Sequence, residues 1–472
     1  MNAEPHGTRE TVTYALTGAR GGFARTLLAQ TRLTADVRPA VLCDLDTEGV
    51  LALGAELGLP AEGPGSLTVV TDRAGLDAAR AAGRTAVVAD VALLAEASYD
   101  ILVEATGNPA VGYRAARTAL AGGRHVAMVS KEVDSVSGVE LAALAARHGV
   151  VYTTATGDQP ANLIQLFTWA SGLGLDIVAI GKSSEYDLVY DPETGTVTQL
   201  DQTVHAPALG GLLKLADGPD GVRTTLAARA EAVTALKRSA AADYCEMAVV
   251  ATSTGFTPDV EAMHYPVART AELADVYALR EHGGVVTRPG VVDVFSVLRL
   301  PEEASFAGGV FVVVRTHDSI TWETLRQKGH VVSRDGRYAC LYLPYHLMGV
   351  ETPTTLRDAV LRGIPAGSPT PTQHAVLAGR ATQDLTAGTV LTMGGHHHEV
   401  TGVAPVLLPV ADAPAGTAPL YLAAHATLVR DVAAGALLTL DDVSGYDPDL
   451  LAAWTAGRAA YPATPVPATT TP

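Results

Sequence analysis

Lys131 is one of only five lysines in a chain with 28 arginines, and it follows directly on the apolar run RHVAMVS. A lysine offers a compact ammonium whose pKa responds to burial, which a guanidinium cannot match. In a partly desolvated cleft such a group can give or take a proton at a reacting oxygen. Lys182, in AIGKSSEYD, and Lys237 are the next candidates, while Lys214 and Lys328 read as surface residues. An Arg- and Ala-rich composition also makes lysine scarce, so scarcity ranks these positions without deciding among them. Asp158 and Gln159 in TGDQPANL precede Pro160, which suits the first turn of a helix. Asp158 is read as part of the catalytic set, with Gln159 and Glu132 touching substrate; plain helix capping by Asp158 is the alternative. Glu185, Asp187 and Glu246 are carboxylates able to orient a lysine or hold a cation. His346 and Glu351, in YHLMGVET, close the site or brace the core. His396, His397, His398 and Glu399 adjoin in a Gly-flanked loop. Adjacent histidines share no helix face, so a polar turn is expected there and no metal site.

A second set of residues reads as a dinucleotide site. Gly18, Gly21, Gly22, Phe23 and Ala24 occur in LTGARGGFARTLLAQ, between a strand-like and a helix-like run. Glycine at such a turn lets backbone amides approach a pyrophosphate, and the helix N-terminus adds partial positive charge. The spacing departs from G-x-G-x-x-G; the strand-turn-helix context carries the reading. Asp44, at the end of the second strand, would accept from the ribose hydroxyls and repel a 2′-phosphate. NAD(P) is therefore expected, with NAD(H) favoured. Ala105, Thr106, Gly107 and Asn108 end the run DILVEATG and would line the nicotinamide ribose; Glu104 is either a ribose contact or a packed acid.

These residues need elements to position them. Strand-like runs (TVTYALTG, RPAVLCDLD, DILVEATG, RHVAMVS, VVYTTATG) alternate with helix-like ones (RTLLAQTRL, VLALGAELG, GVELAALAARHG) over residues 11–155. That alternation predicts an N-terminal Rossmann domain, a doubly wound parallel sheet. Lys131 falls in a polar turn on this reading. Residues 156–370 form a central α+β catalytic domain, and PAGSPTPTQ reads as a linker. Residues 371–446 hold a weak internal echo, ATQDLTAGTVLT and LVRDVAAGALLTLDDV, and predict a small β-rich module. Residues 1–10 are expected to be flexible. The tail 447–472 is expected to be mostly disordered, from its Pro/Thr/Ala-rich end. The fold class is α/β.

At 472 residues two or three domains are needed, and a net charge of −17 without a basic block argues against nucleic acid or an anionic membrane as partner. Three distant cysteines fit a reducing compartment, and no signal-like or membrane-spanning run is seen. A cytoplasmic homo-oligomer acting on a small molecule is the expectation.

VEATGNPAVGYRAARTALAGGRHVAMVSKEVD resembles the cofactor domain of homoserine dehydrogenases. TATGDQPANLIQLFTWASGLGLDIVAIGK, YCEMAVVATSTGF, LPYHLMGVET and LVRDVAAGALLTLDDV are similar to oxidoreductases joining such a core to a C-terminal SAF module. That group includes the deoxyxylulose-phosphate-reductoisomerase-like enzymes. The resemblance covers roughly residues 10–445. It implies an NAD(P)-dependent oxidoreductase in which a strand-end acid and a lysine after the next strand flank the nicotinamide. The chain departs from the group at Lys237–Tyr244, where an Asp-Gly-Thr-Lys type of sequence is usual, at Leu343, often Arg, and at Gly379–Thr382, where Ala-Lys is frequent. Two anion-binding cations are thereby missing or moved, which speaks against a phosphorylated substrate. The expected function is hydride transfer between nicotinamide and a small polar hydroxy or carbonyl compound, with lysine-assisted proton transfer. The alternatives are a metal-assisted reductoisomerase of a hydroxy-ketone, needing a divalent cation, or a nucleotide-binding protein that has lost chemistry.

Overall fold

Residues 11–395 and 398–460 are described by the structure, a computed structural model. The expectations for residues 1–10, for His396 and His397 and for residues 461–472 lie outside the described residues. The chain divides into two compact units.

The first unit runs to Ala161 and adds Leu347–Thr372 and a stretch from Asp447. Its strands are β1 (Val12–Thr17), β2 (Val37–Cys43), β3 (Leu67–Val69), β4 (Thr85–Val88), β5 (Ile101–Glu104), β6 (His125–Met128) and β7 (Tyr152–Thr154). All pair in parallel, in the order β3-β4-β2-β1-β5-β6-β7. Runs such as TAVV and ILVE are buried throughout, as strands covered on both faces must be. Helices α1 (Gly22–Thr31), α2 (Thr47–Glu56), α3 (Arg73–Ala81), α4 (Pro109–Ala121) and α5 (Lys131–His148) connect them, and α6 (Gln159–Gly172) follows β7. The strand order reverses between β1 and β5, the place where ligands lie over the carboxyl ends of such sheets. The α/β class and the parallel sheet are as expected.

Three local expectations change. Lys131 is the first residue of α5, not part of a turn. Glu132 and Asp134 lie in its first turn, where the helix dipole favours acids. The tail is not disordered from residue 447: Pro448–Ala460 is a helix. It buries Leu450, Ala453 and Trp454, and Arg114 Nη1 donates to Asp447 Oδ2 at 2.6 Å. Finally, residues 156–370 are not one unit. Leu356 and Ala359 belong to the core of the first unit, and Arg357 pairs with Asp36 there at 2.5 Å.

The second unit takes Asn162–His346 and Gln373–Tyr446. Its sheet contains β8 (Asp176–Ser183), β9 (Leu188–Asp191), β10 (Thr196–Gln199), β11 (Gln202–His205), β12 (Thr257–Pro258), β13 (Val267–Ala268), β14 (Val291–Arg299), β15 (Val310–Arg315), β16 (Val331–Val332) and β17 (Tyr338–Leu343). The order is β11-β10-β9-β14-β8-β15-β17-β16, with β12 and β13 on β14. The pairing is mixed, since β14 runs parallel to β8 and β15 antiparallel. Helices α7 (Gly221–Ala232) and α8 (Ala241–Thr254) belong here. Val178, Tyr277, Phe295 and Phe311 centre the core. Residues 371–446 are β-rich: Ala375–Ala381 pairs antiparallel with Val403–Pro409, and shorter pairs surround it.

Candidate active site

At the β1 turn Gly18 has φ +65°, and a Cβ there would stand 2.2 Å from Ala105 O. Only glycine fits so close an approach of two chain segments. Gly21 N donates to Gly18 O at 3.0 Å, and α1 starts at Gly22. The helix N-terminus thus follows β1 without a side chain over it, which fits a pyrophosphate. Phe23 and Ala24 contribute only backbone to this cradle, because their side chains are buried in the core. Asp44 accepts from Arg20 N at 2.8 Å and from Asp46 N at 3.0 Å, which fixes its carboxylate beside the turn.

The β5 end is braced from within. Glu104 Oε1 accepts from Thr17 Oγ1 at 3.2 Å, from Thr106 N at 2.9 Å and from Thr106 Oγ1 at 2.6 Å. Glu104 is a packed acid whose pKa burial raises, against the lowering effect of its hydrogen bonds. Gly107 N donates to Ser130 Oγ at 2.8 Å, and Asn108 caps α4 by accepting from Val111 N at 3.0 Å. Thr106 and Asn108 therefore hold the loop shape.

Lys131 Nζ lies 3.1 Å from Asp158 Oδ2 and 3.3 Å from Oδ1. The Lys131 side chain is 21% exposed and that of Asp158 only 7%, so the pair is largely withdrawn from solvent. Asp158 Oδ1 also accepts from Gln159 N at 3.0 Å. Asp158 thus pairs with the lysine and also holds the first amide of α6. Glu132 is buried on α5. One turn after Lys131, Asp134 Oδ1 accepts from Tyr152 Oη at 2.8 Å. Burial pushes Asp134 up to about 7; the Tyr152 hydrogen bond opposes this and the Asp158 charge adds to it. A Cβ on Gly138 would fall 1.8 Å from Asp134 Oδ1, so that glycine keeps the carboxylate's space open. Sequence reasoning missed Asp134 and Tyr152. The signal was spacing: Asp134 is three residues after Lys131, hence on the same helix face.

The second unit holds the other lysines. Lys182, on β8, is fully buried and donates to Asp243 Oδ1 at 2.7 Å and to Glu246 Oε2. Burial alone would lower its pKa, but the two carboxylates outweigh burial and raise it. Lys182 is thus held as an ammonium, which removes it as a proton acceptor near neutral pH. Tyr265 Oη donates to Asp243 Oδ2 at 3.0 Å. Asp243, which the sequence reading passed over, stands three residues before Glu246 on one face of α8. Asp187 pairs with Arg299 at 2.6 Å, and Lys237, 56% exposed, pairs with Glu399. His346, in the second unit, fills space above Gly308, whose absent Cβ would lie 1.8 Å from its Nδ1. Glu351, in the first unit, accepts from Leu347 N at 3.2 Å. Asp187 and Glu246 are each committed to a protein cation, and among the described residues no group of three His, Cys, Asp or Glu is placed to hold a metal. No helix of the described residues is long and apolar enough to cross a membrane.

Residues 157–352 match the family model of the oxidoreductase DRL catalytic domain. The match takes in less than half of the chain. No curated protein matches the chain. Solved structures similar to it include the WlbA dehydrogenase from Bordetella pertussis in complex with NADH and UDP-GlcNAcA, at 17% identity and TM-score 0.26 over 39% of this chain. A DOX-P reductoisomerase in complex with magnesium is 14% identical over 76% of this chain and 71% of its own, with TM-score 0.33. The putative oxidoreductase yvaA from Bacillus subtilis is 11% identical over 76% of this chain and 92% of its own, with TM-score 0.34. The chain spans about half of the first of these, 48%, and 57% of a DOX-P reductoisomerase in complex with NADPH, fosmidomycin and magnesium. Likenesses this remote add nothing to the fold argued from the strands themselves.

Proposed function

We propose that this protein is an NAD(P)-dependent oxidoreductase acting on a small polar hydroxy or carbonyl compound, with Lys131 as its proton-transfer residue. The observation that carries the reading is the Lys131–Asp158 pair at the N-terminus of α5, directly after β6 and two strands from the Gly18 turn. The Gly18 turn, the α1 N-terminus and Asp44 would hold the dinucleotide. When bound, the nicotinamide supplies or accepts the hydride. Lys131 Nζ, anchored on one side by Asp158, gives its proton to the substrate oxygen as the carbonyl carbon is reduced, and takes it back in oxidation. Asp158 fixes the ammonium and offsets its charge. The two carboxylates on Lys182 and the exposure of Lys237 favour Lys131 over them for that role. The resemblance to homoserine-dehydrogenase-like enzymes with a SAF module, the cytoplasmic location and a homo-oligomeric assembly remain part of this proposal. The reductoisomerase alternative finds no support in Asp187 and Glu246, both ion-paired within the protein.

The test is kinetic. A panel of small hydroxy acids and polyols, followed by the absorbance of reduced nicotinamide, should reveal turnover in the wild-type protein. Lys131→Ala should lower it by about 100-fold or more while sparing dinucleotide affinity, the usual scale for a lost acid–base group. Lys131→Arg should not restore it, since a guanidinium stays protonated. An arginine variant with near-full activity would reduce Lys131 to an electrostatic contact.

A further inference from the structure

The second unit contains a cleft of about 200 Å3 that the residues discussed so far do not explain. Its volume equals that of roughly seven waters, enough for a small acid and far short of a nucleotide. Ser184, just past the end of β8, lines it. The Ser184 side chain is buried, 6% exposed, and its Oγ has no hydrogen-bond partner among the described residues. A buried hydroxyl left unbonded is costly, so a partner is expected from outside the chain.

The start of α8, a 14-residue helix, also lines the cleft. Ser239 and Ala240, which precede it, line the cleft, and the Ala240 side chain cannot cap it. The helix N-terminus presents partial positive charge to an anion. Lys237, paired with Glu399, and Arg238 line it too, and Arg238 Nη1 is fixed by donating to Tyr265 O at 3.0 Å. Asp243 completes the lining, its Oδ1 held by Lys182 Nζ and its Oδ2 by Tyr265 Oη. It is a rigid acceptor for a hydroxyl.

Charge selects among anions. The lining holds two cations, Lys237 and Arg238, of which Lys237 is paired with Glu399, and three acids, Glu185, Asp201 and Asp243, the last with its charge offset by Lys182. A doubly charged phosphate would meet more carboxylates than cations in this lining. A singly charged carboxylate meets the guanidinium, two serine hydroxyls and the helix end, while a neighbouring hydroxyl reaches Asp243.

From this geometry we infer that the cleft binds a small carboxylate carrying a hydroxyl or carbonyl on the adjacent carbon. The inference goes beyond the proposed oxidoreductase function, whose proton-transfer residue Lys131 lies in the first unit, and names a ligand class for this cleft of the second unit. The experiment is calorimetric titration of the full chain with glycerate, acetate, glycerol and inorganic phosphate, with and without NAD(H) or NADP(H). Glycerate should bind one to one, at least tenfold more tightly than acetate or glycerol. Arg238→Gln and Ser184→Ala should each weaken it tenfold or more, and Ser239→Ala gives a third reading should either variant fold poorly. Tighter binding of phosphate or of glycerol than of glycerate would overturn the assignment. So would glycerate affinity unchanged in the variants, or no binding by any probe. The two claims fail separately: absence of dinucleotide binding sinks the oxidoreductase reading, whereas dinucleotide binding without glycerate binding sinks only the cleft.

Discussion

Lys131 and Asp158 are 27 residues apart in sequence and meet at 3.1 Å, and Asp134 joins them from the next turn of α5. Asp134 makes a prediction at the scale of a single carboxyl. Its folded pKa, about 7, exceeds the ordinary value of 3.8. The folded state therefore holds the proton more tightly, so stability is greatest below about pH 4 and falls as pH rises towards 7. Asp134→Asn should leave stability nearly unchanged at pH 4.5 and raise it at pH 8. The gain should be about 1–2 kcal/mol, less than the full shift implies because the side chain is partly exposed. Urea unfolding at the two pH values measures it, and an equal change at both would contradict the account. Lys182 is the opposite case. Lys182→Met would leave Asp243 and Glu246 buried without their cation, at a cost of about 3–5 kcal/mol of stability in denaturant unfolding. A smaller loss than 1 kcal/mol would mean that the triad is hydrated. Residue types made Lys131, Asp158 and Glu246 legible in the sequence. The pairing of Lys182 with Asp243, 61 residues away, was not, because it is fixed by how α8 packs on β14, the strand beside β8, and no local pattern encodes it.

At the scale of elements, the strand-turn-helix of residues 12–31 was legible because an apolar strand, a glycine turn and a helical run each carry a local signal. The start of α5 was not. Its first turns bury Glu132, Ser135 and Ser137, so apolar periodicity emerges only from Gly138 and the helix seemed to begin there. β3 and β4 were overlooked, being three and four residues long. The β2 end makes its own prediction. Asp44 is fixed by two backbone amides beside the Gly18 turn, so NAD(H) should bind more tightly than NADP(H), and Asp44→Ser should narrow the difference. Paired calorimetric titrations decide this. A clear preference of the wild-type protein for the phosphorylated form would contradict it.

Over the whole molecule, composition located the sheets and failed at the chain's end. The Pro/Thr/Ala-rich segment is real, but it follows a helix that packs on α5 through Leu450, Ala453 and Trp454. Trp454→Ala should therefore destabilise the first unit by about 3 kcal/mol, read as a lower melting temperature of the transition that dinucleotide protects. No shift would mean that the helix is dispensable. The division into units also bears on the central claim, because the Gly18 turn, Asp44, Lys131 and Asp158 all belong to the first unit. The most direct test is calorimetric titration of NAD(H) and NADP(H) into the wild-type protein and into Gly18→Ala, whose added Cβ would meet Ala105 O at 2.2 Å. The account predicts saturable one-to-one binding of at least one dinucleotide to the wild-type protein and its loss in the folded variant. Absence of binding to the wild-type protein, or undiminished binding to Gly18→Ala, would contradict it.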